Sequence, residues 1–368
     1  MINTDIAILA TGNEVVAGDI QNSNTRDIAQ RLKDHNMPVV MHMAVNDVES
    51  EIVSALQYLK EHCSIIIITG GLGPTSDDRT RFALSALCDT DLVFDESSWK
   101  HIQQFFQSLG KPVSEVNRQQ CYFPKDASVI TNNNGTANAC RFDWDGVTFF
   151  LLPGPPRECL PLVDRVVLPQ LTEIGCVSSC VRVNYLLLGV GESDIANKIE
   201  PCFQACSDVE LGYRASFPYI QVKLSASTQS ALIAKQQLIE PLLAPYLVSN
   251  SGLTATEQLV TFIEQSSYNI NMTDLVSYGR WQSHLATPGT VARLSFDNSR
   301  SSNCEVVLSG DDLMTLENPE ELMYTLNCRF NGNTAMYEYR TRSKGIRVLD
   351  GVVEWASWKV LNFLKGDR

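Results

Sequence analysis

Four consecutive isoleucines, Ile65 to Ile68, run straight into Gly70-Gly-Leu-Gly-Pro-Thr-Ser-Asp-Asp-Arg-Thr80, and this junction constrains the fold more than any other stretch. An apolar run without a polar interruption predicts a strand buried on both faces, the mark of a parallel α/β sheet. The strand stops in a glycine cluster, and Ala83, Leu84, Ala86 and Leu87 follow at helical spacing. Strand, glycine loop and helix start together present backbone N–H groups and a positive helix end to an anion. Asp77 and Asp78 lie in the same loop, where they would repel a phosphate. A divalent cation bridging the charges removes that conflict, so the loop predicts a metal-dependent site for a phosphorylated ligand.

The preceding chain supplies partners for this junction. Ile6-Ala-Ile-Leu9 reads as a strand ending at Thr11-Gly12, followed by a loop from Asn13-Glu14 to Gly18-Asp19. Asn22 or Asn24 stands where a cap would start a helix carrying Ile28, Ala29 and Leu32 on one face. Val39 to Val45 reads as a strand delivering Asn46-Asp47, and a helix with Ile52, Val53, Leu56 and Leu59 leads to the isoleucines. This alternation predicts right-handed βαβ units, whose ligands bind outside the carboxyl ends of the strands. Three polar sets fall there: Glu14 with Asp19, Asp47, and Asp77 with Asp78. Asp47 and Asp78 also stand where helix caps stand.

Further on, Trp99 to Leu109 reads as helical, and Asn132-Asn-Asn-Gly-Thr-Ala137 is a turn rich in anion-binding groups. Val147 to Leu152 is another buried strand, ending in Pro153-Gly-Pro-Pro-Arg-Glu158, where proline and an acidic residue fit a helix start. We expect this domain to close near Leu171, as residues 1–171. Residues 172–250 read as a small α+β module with strands at Arg182–Leu188 and Tyr219–Ser225 and helices at Glu192–Gln204 and Ala231–Leu243. Gly189-Val-Gly191 lacks the GxGxxG spacing and reads as a plain turn; Ser249–Gly252 reads as a linker. Residues 251–368 open and close with helices, Glu257–Ser266 and Val352–Leu364. Hairpin-like stretches around 292–296, 304–308 and 335–339 lie between them. Glu305, Asp311, Asp312 and Glu317 there lack metal-ligand spacing.

The 368 residues are too many for one core, and 44% hydrophobic with 19% charged residues describes an ordinary globular protein. A net charge of −13 without a basic run argues against nucleic-acid and anionic-membrane partners. Eleven cysteines are scattered without a CxxC pair; Cys176 with Cys180 and Cys202 with Cys206 have no ligand partners nearby, so reduced thiols are expected. No apolar stretch approaches membrane-spanning length, and Met1–Asp5 has no basic n-region, which predicts a cytoplasmic protein without a signal peptide.

The ordered set Thr11-Gly-Asn-Glu14, Gly18, Asn24, Asp47, Gly70-Gly-Leu-Gly-Pro-Thr75 with Asp77, Asp78 and Thr80, Asn132 with Gly135-Thr-Ala137, and Pro153-Gly154 with Pro156 and Glu158 resembles the molybdopterin-binding, MoaB/MogA-like fold. Within that superfamily it is similar to the N-terminal domain of the CinA family, over about the first 170 residues. The resemblance implies an α/β parallel-sheet domain in a cytosolic homodimer that splits ADP-ribose into AMP and ribose 5-phosphate with Mg²⁺, Mn²⁺ or Co²⁺, in pyridine-nucleotide recycling. Asp47, Asp77 and Asp78 are then the metal-binding carboxylates, and Glu14 a general base or ligand, with Asn24 orienting it or the substrate. Gly70, Gly71, Gly73, Thr75 and Thr80 would bind phosphate, while Gly135, Thr136, Gly154 and Glu158 would wall the second phosphate or ribose. A pterin-binding or adenylylating protein, and a non-catalytic nucleotide-binding regulator, remain open readings.

Full-length relatives carry a nicotinamide mononucleotide deamidase domain with an Ala-Glu-Ser-Cys-Thr-Gly-Gly signature. The aligned segment here is Thr273-Asp-Leu-Val-Ser-Tyr-Gly279, which puts Leu275 at the nucleophile position. Leucine cannot attack an amide, and the downstream stretch is shorter than a full deamidase domain. The C-terminal α/β domain is therefore expected to be degenerate, with Ser277 the one displaced hydroxyl.

Overall fold

A computed structural model describes residues 5–177, 179–203, 208–296, 302–315, 320–342 and 345–366. The chain divides into two compact units, Met1–Ser179 and Cys180–Arg368.

The first unit contains β1 (Ile6–Thr11), α1 (Asn13–Ala17), α2 (Ser23–Asp34), β2 (Val39–Val45), α3 (Glu49–His62), β3 (Ile65–Thr69), α4 (Thr80–Cys88), β4 (Leu92–Phe94), α5 (Glu96–Ser108), β5 (Tyr122–Pro124), β6 (Ser128–Ile130), β7 (Ala139–Trp144), β8 (Val147–Leu152), α6 (Pro156–Leu162) and α7 (Leu168–Ile174). Its main sheet has the order β2-β1-β3-β8-β7-β6. The first four strands are parallel, while β7 and β6 add an antiparallel edge. The isoleucine run lies at the centre, as its composition requires. Ile66 and Ile68 face a core built with α3 and α4, and Ile65 and Ile67 face one built with α2 and α6. Both faces of this strand are closed to water, which is why no polar residue interrupts it.

Local capping rules hold at some helix starts and fail at others. Asn22, not Asn24, caps α2 by accepting from Thr25 N at 3.2 Å. The segment read as a loop after β1 is in part the short helix α1. Neither Asp47 nor Asp78 caps a helix: the caps of α3 and α4 are Val48 and Arg79, without side-chain bonds. The unit also runs past Leu171, with α7 continuing to Ile174 and Cys176 in the core.

The second unit holds two sheets. Strands β9 (Val181–Leu188), β10 (Val209–Ser216), β11 (Tyr219–Ala226) and β12 (Leu247–Ser249) form an antiparallel sheet of order β10-β11-β9-β12. Helices α8 (Glu192–Ile199) and α9 (Gln229–Leu243) cover one of its faces. Strand β10 went unread in the sequence, and Ser249, assigned to a linker, ends a strand. The helix expected to reach Gln204 ends at Ile199 and continues as a 3-10 turn to Phe203; Gln204 lies outside the described residues.

The second sheet has the order β14-β13-β15-β16-β17, from β13 (Ile270–Asp274), β14 (Leu294–Ser295), β15 (Cys304–Gly310), β16 (Leu322–Phe330) and β17 (Asn333–Thr341). Helices α10 (Ala255–Gln265), α11 (Arg280–Leu285) and α12 (Val348–Lys365) pack with it. Glu305 pairs with Arg329 at 2.6 Å, while Asp311 accepts from Met323 N and Asp312 from Met314 N. Glu317 and Cys206 lie outside the described residues. No helix among the described residues is long and apolar enough to cross a membrane.

Candidate active site

Parallel strands end together, so the segments leaving β1, β2, β3 and β8 meet along one sheet edge and enclose a cleft of about 500 Å³. In sheet order, Asp47 follows β2, Glu14 follows β1, the glycine loop follows β3, and Gly154 with Glu158 follows β8. The cleft lining includes Glu14, Asn24, Asp47, Gly70, Gly71, Gly73, Asp77, Asp78, Thr136, Gly154 and Glu158. Thr75, Thr80, Gly135 and Asp19 fall outside that lining. A second hollow, lined by Arg26, Lys33 and His42 among others, lies between α2 and β2.

The glycine loop is folded tightly onto its neighbours. Gly70 and Gly71 have φ of +106° and +64°. A Cβ at Gly70 would lie 2.3 Å from the Thr11 carbonyl oxygen, and one at Gly71 would lie 2.1 Å from Thr80 Oγ1. Only glycine satisfies both the backbone angle and the space. Thr80 is fully buried; its hydroxyl donates to Gly70 O at 2.9 Å and accepts from Thr11 Oγ1 at 3.1 Å. It therefore shapes the loop from behind, and its expected contact with phosphate does not arise. Gly70 N donates to Leu152 O and Thr75 N to Asp78 Oδ2, which spends two of the amides assigned to phosphate. Those of Gly71, Leu72 and Gly73 remain for a ligand, beside the N-terminus of α4.

The four carboxylates differ in how they are held. Asp78 Oδ2 also accepts from Thr75 Oγ1 at 2.6 Å, closing the loop on itself. Hydrogen bonding within the loop holds Asp77 below the usual carboxylate range. Asp47 accepts from Asn13 N at 3.0 Å, and Asn13 Oδ1 accepts from Asp47 N at 3.1 Å, tying β2 to the start of α1. Burial pushes the Asp47 carboxyl up; the bond from Asn13 opposes this, and the charges of Glu14, Asp77 and Asp78 add to the rise. The four acids thus share one electrostatic field. Among the described residues, no three His, Cys, Asp or Glu side chains are placed to hold a metal ion by themselves.

Glu158 occupies the far end of the edge. It is 7% exposed, and burial raises its carboxyl above the ordinary range against the bond from Asn132 Nδ2, at 2.8 Å, and the charge of Arg157. A Cβ at Gly135 would sit 2.0 Å from Glu158 Oε2, so Gly135 makes room for the carboxylate and does not line the cleft. Asn24 donates to Thr69 Oγ1 at 2.9 Å and to Gly154 O at 2.6 Å, joining α2 to β3 and to the Pro153–Pro156 turn. It makes no bond to Glu14. Its Oδ1 is buried without a partner, as is Gln120 Oε1, and both residues line the cleft.

Two residues of this neighbourhood were not singled out in the sequence, Gln120 and Arg81. Arg81 is fully buried, donating from Nη2 to Gly73 O at 3.1 Å and from Nη1 to Gln120 O at 3.0 Å. Its only sequence signal is an arginine among the apolar residues of a short helix.

The family described as a probable molybdopterin binding domain matches residues 7–173, which cover the whole edge. A competence-damage inducible protein of Clostridium botulinum is 32% identical over 262 residues, 70% of this chain and 64% of that one. A relative of the same description from Alkaliphilus metalliredigens is 34% identical over 234 residues, 64% of this chain and 56% of that one. The chain is similar to the competence-damage inducible proteins, and its first domain to the probable molybdopterin binding domain. It spans less than two thirds of the length of these relatives. Among solved structures, a CinA protein of unknown function from Thermoplasma acidophilum covers 48% of this chain with all of its own length, at 25% identity and a TM-score of 0.42. The molybdopterin biosynthesis enzyme MoaB of Thermus thermophilus covers 46% of this chain with 97% of its own, at 19% identity and a TM-score of 0.31.

In the second unit, Leu275 is 66% exposed just beyond β13, while Ser277 is fully buried. The Ser277 hydroxyl donates to Asp274 Oδ2 and accepts from Trp281 N at 3.1 Å, so it serves the turn into α11.

Proposed function

We propose that the first unit hydrolyses the pyrophosphate of ADP-ribose, or a similar nucleoside diphosphate sugar, to AMP and ribose 5-phosphate with a divalent cation. The observation that carries this reading is the coexistence on one cleft of loop amides left for an anion and four carboxylates, three of which raise Asp47 by their charge. A cleft for an anion alone gains nothing from Asp47, Asp77, Asp78 and Glu14, and a cleft for a cation alone gains nothing from the amides of Gly71 to Gly73.

The donor set fits a hard cation in kind, because it offers carboxylate oxygens only. The mutual repulsion that helps raise Asp47 is also one that a cation relieves. Since the acids do not form a complete cage, phosphate oxygens and water would complete the shell, as Mg²⁺-type ions commonly require. When bound, the Mg²⁺, Mn²⁺ or Co²⁺ ion would supply charge neutralisation and an activated water. The chain's own groups do the remainder. Loop amides and the α4 terminus hold one phosphate, while Thr136, Gly154 and Glu158 wall the other phosphate or its ribose. Glu14, or Asp47 with its raised basicity, accepts the proton of the attacking water. The water oxygen bonds to one phosphorus, the bridging P–O bond breaks, and the bridge oxygen leaves on the other phosphate.

The match to a molybdopterin binding domain favours a second reading, a cleft that binds or adenylylates a pterin. We further propose that the second unit lacks deamidase activity, with Leu275 at the nucleophile position. The protein would act in the cytoplasm as a homodimer, a reading that rests on family resemblance. The test is AMP release from ADP-ribose with and without each metal, with ammonia release from nicotinamide mononucleotide measured in parallel. Metal-dependent AMP without ammonia supports the reading. Absence of AMP under every metal, together with copurified pterin fluorescence, would replace it with the second.

A further inference from the structure

Arg81 is a cation in a place that should reject one. It lies in the first turn of α4, the positive end of the helix dipole, and that turn contains no acidic residue. Its side chain is fully enclosed, its Nε has no hydrogen-bond partner, and among the described residues no carboxylate lies within ion-pair distance of it. The neighbouring thiols of Cys121 and Cys140 are pushed up by burial to about 11 and about 12, so they stay neutral, and the charge that favours the guanidinium is that of Asp78, which makes no ion pair with it. Burial lowers the guanidinium only to about 10, so it keeps its proton at neutral pH.

Burying an unpaired charge carries a large desolvation penalty. A neutral amide could have bonded to a backbone carbonyl without that penalty, so fastening two backbone segments does not explain a guanidinium. The two carbonyls it bonds belong to Gly73 and Gln120, and both residues line the cleft while Arg81 does not. The positive field of Arg81 therefore adds to that of the α4 terminus under the three loop amides left for a ligand.

We propose that Arg81 is a positioning residue of the phosphate subsite, a buried positive charge, bonded to the carbonyls of Gly73 and Gln120, that attracts a pyrophosphate or phosphate ester through the glycine loop without touching it. This rests on reading the cleft as a phosphate site. The two are separable, because a phosphate site need not hydrolyse ADP-ribose.

The experiment is calorimetric titration of the full chain with inorganic pyrophosphate in Mg²⁺, for wild type, R81Q and R81K, each also checked by thermal melting. R81Q keeps an amide donor and removes the charge; R81K keeps the charge and removes the planar fork. We expect R81Q to bind about tenfold more weakly or worse, and R81K to stay within about threefold of wild type. A folded R81Q that binds as wild type does, or a folded R81K that loses as much as R81Q, overturns the proposal. If R81Q does not fold, R81K alone decides: a tenfold loss assigns the effect to the fork and overturns it. No pyrophosphate binding by the wild type also overturns it. Pyrophosphate binding without ADP-ribose turnover sinks the hydrolase reading and leaves Arg81 in its role.

Discussion

Replacing Asp78 by asparagine removes one charge and no atom count, and its consequences can be worked separately for the loop and for the reaction. In the loop, Asp78 Oδ2 accepts from Thr75 N at 2.9 Å and Thr75 Oγ1 at 2.6 Å. An asparagine oxygen can accept both, but as neutral bonds. Charge-assisted bonds exceed neutral ones by about 1 kcal/mol each, and partial exposure reduces that, so D78N should cost about 1 kcal/mol of stability. For a unit of this size that is about 2–4 °C in melting temperature. The rate should fall much further, by about 10²-fold, the usual scale for a group that stabilises charge in the transition state. A third effect follows from the shared field. The Asp78 charge is one of those that raise Asp47, so removing it moves Asp47 back toward its ordinary range. If turnover needs Asp47 ionised, activity is lost as pH falls through its raised value, and in D78N that acid limb must move to lower pH. Metal-dependent AMP release against pH, followed chromatographically, reads both rate and limb. Turnover near wild type removes Asp78 from the mechanism, and a lowered rate with an unmoved limb removes Asp47 as the titrating group.

Glu158→Gln tests the far end of the cleft. A carboxyl raised on folding favours the native state in its protonated form and loses that advantage as pH rises through the raised value, so E158Q should melt higher than wild type near neutral pH. The gain should fade below the ordinary glutamate range, and a pH-independent difference in melting would contradict the burial of an ionised group. Gly71→Ala should destabilise by about 1–2 kcal/mol from the left-handed backbone alone, and more through the clash with Thr80, and should weaken pyrophosphate binding; melting and titration of the same sample check both. Ser277→Ala should cost about 1 kcal/mol by loosening the turn into α11 and leave AMP release unchanged. A drop in any ammonia release from nicotinamide mononucleotide on that change would mean that Ser277 is a nucleophile after all.

The parts of the fold legible in the sequence are those where one local pattern has one solution. A four-isoleucine run cannot tolerate water on either side, and it forms the central strand between two cores. Glycine at 70 and 71 is demanded by backbone angle and by space at once. Among the strands that escaped notice, which also include β4 to β7, β12 and the regularly alternating β16, β10 carries Gly212 in its middle and β13 is a five-residue strand with asparagine, threonine and aspartate. Such strands are specified by their neighbours in the sheet more than by their own residues. The caps failed for a related reason. Asp47 and Asp78 have good capping chemistry, but Asn13 and Thr75 reach them first, and these are a residue 34 positions away and a turn specific to this loop.

The same distinction separates the candidate site into what a sequence can and cannot state. Residue types and order place carboxylates, glycines and hydroxyls at one sheet edge, because strand ends in a parallel sheet converge. The sequence does not say which hydroxyl faces inward, and Thr80, chemically as apt as any, is turned to the back of the loop. Nor does it reveal charge that acts from behind. Arg81 sits in a nine-residue helix among apolar residues, where its spacing suggests only an amphipathic face. Its meaning comes from its burial without an ion-pair partner, visible only when every neighbour is in place. The acids and the arginine then form one arrangement: negative groups line the ligand's side of the loop, and a positive group lies beneath it. Under the proposed reading, a cleft of that polarity suits a negative phosphate with a positive ion attached.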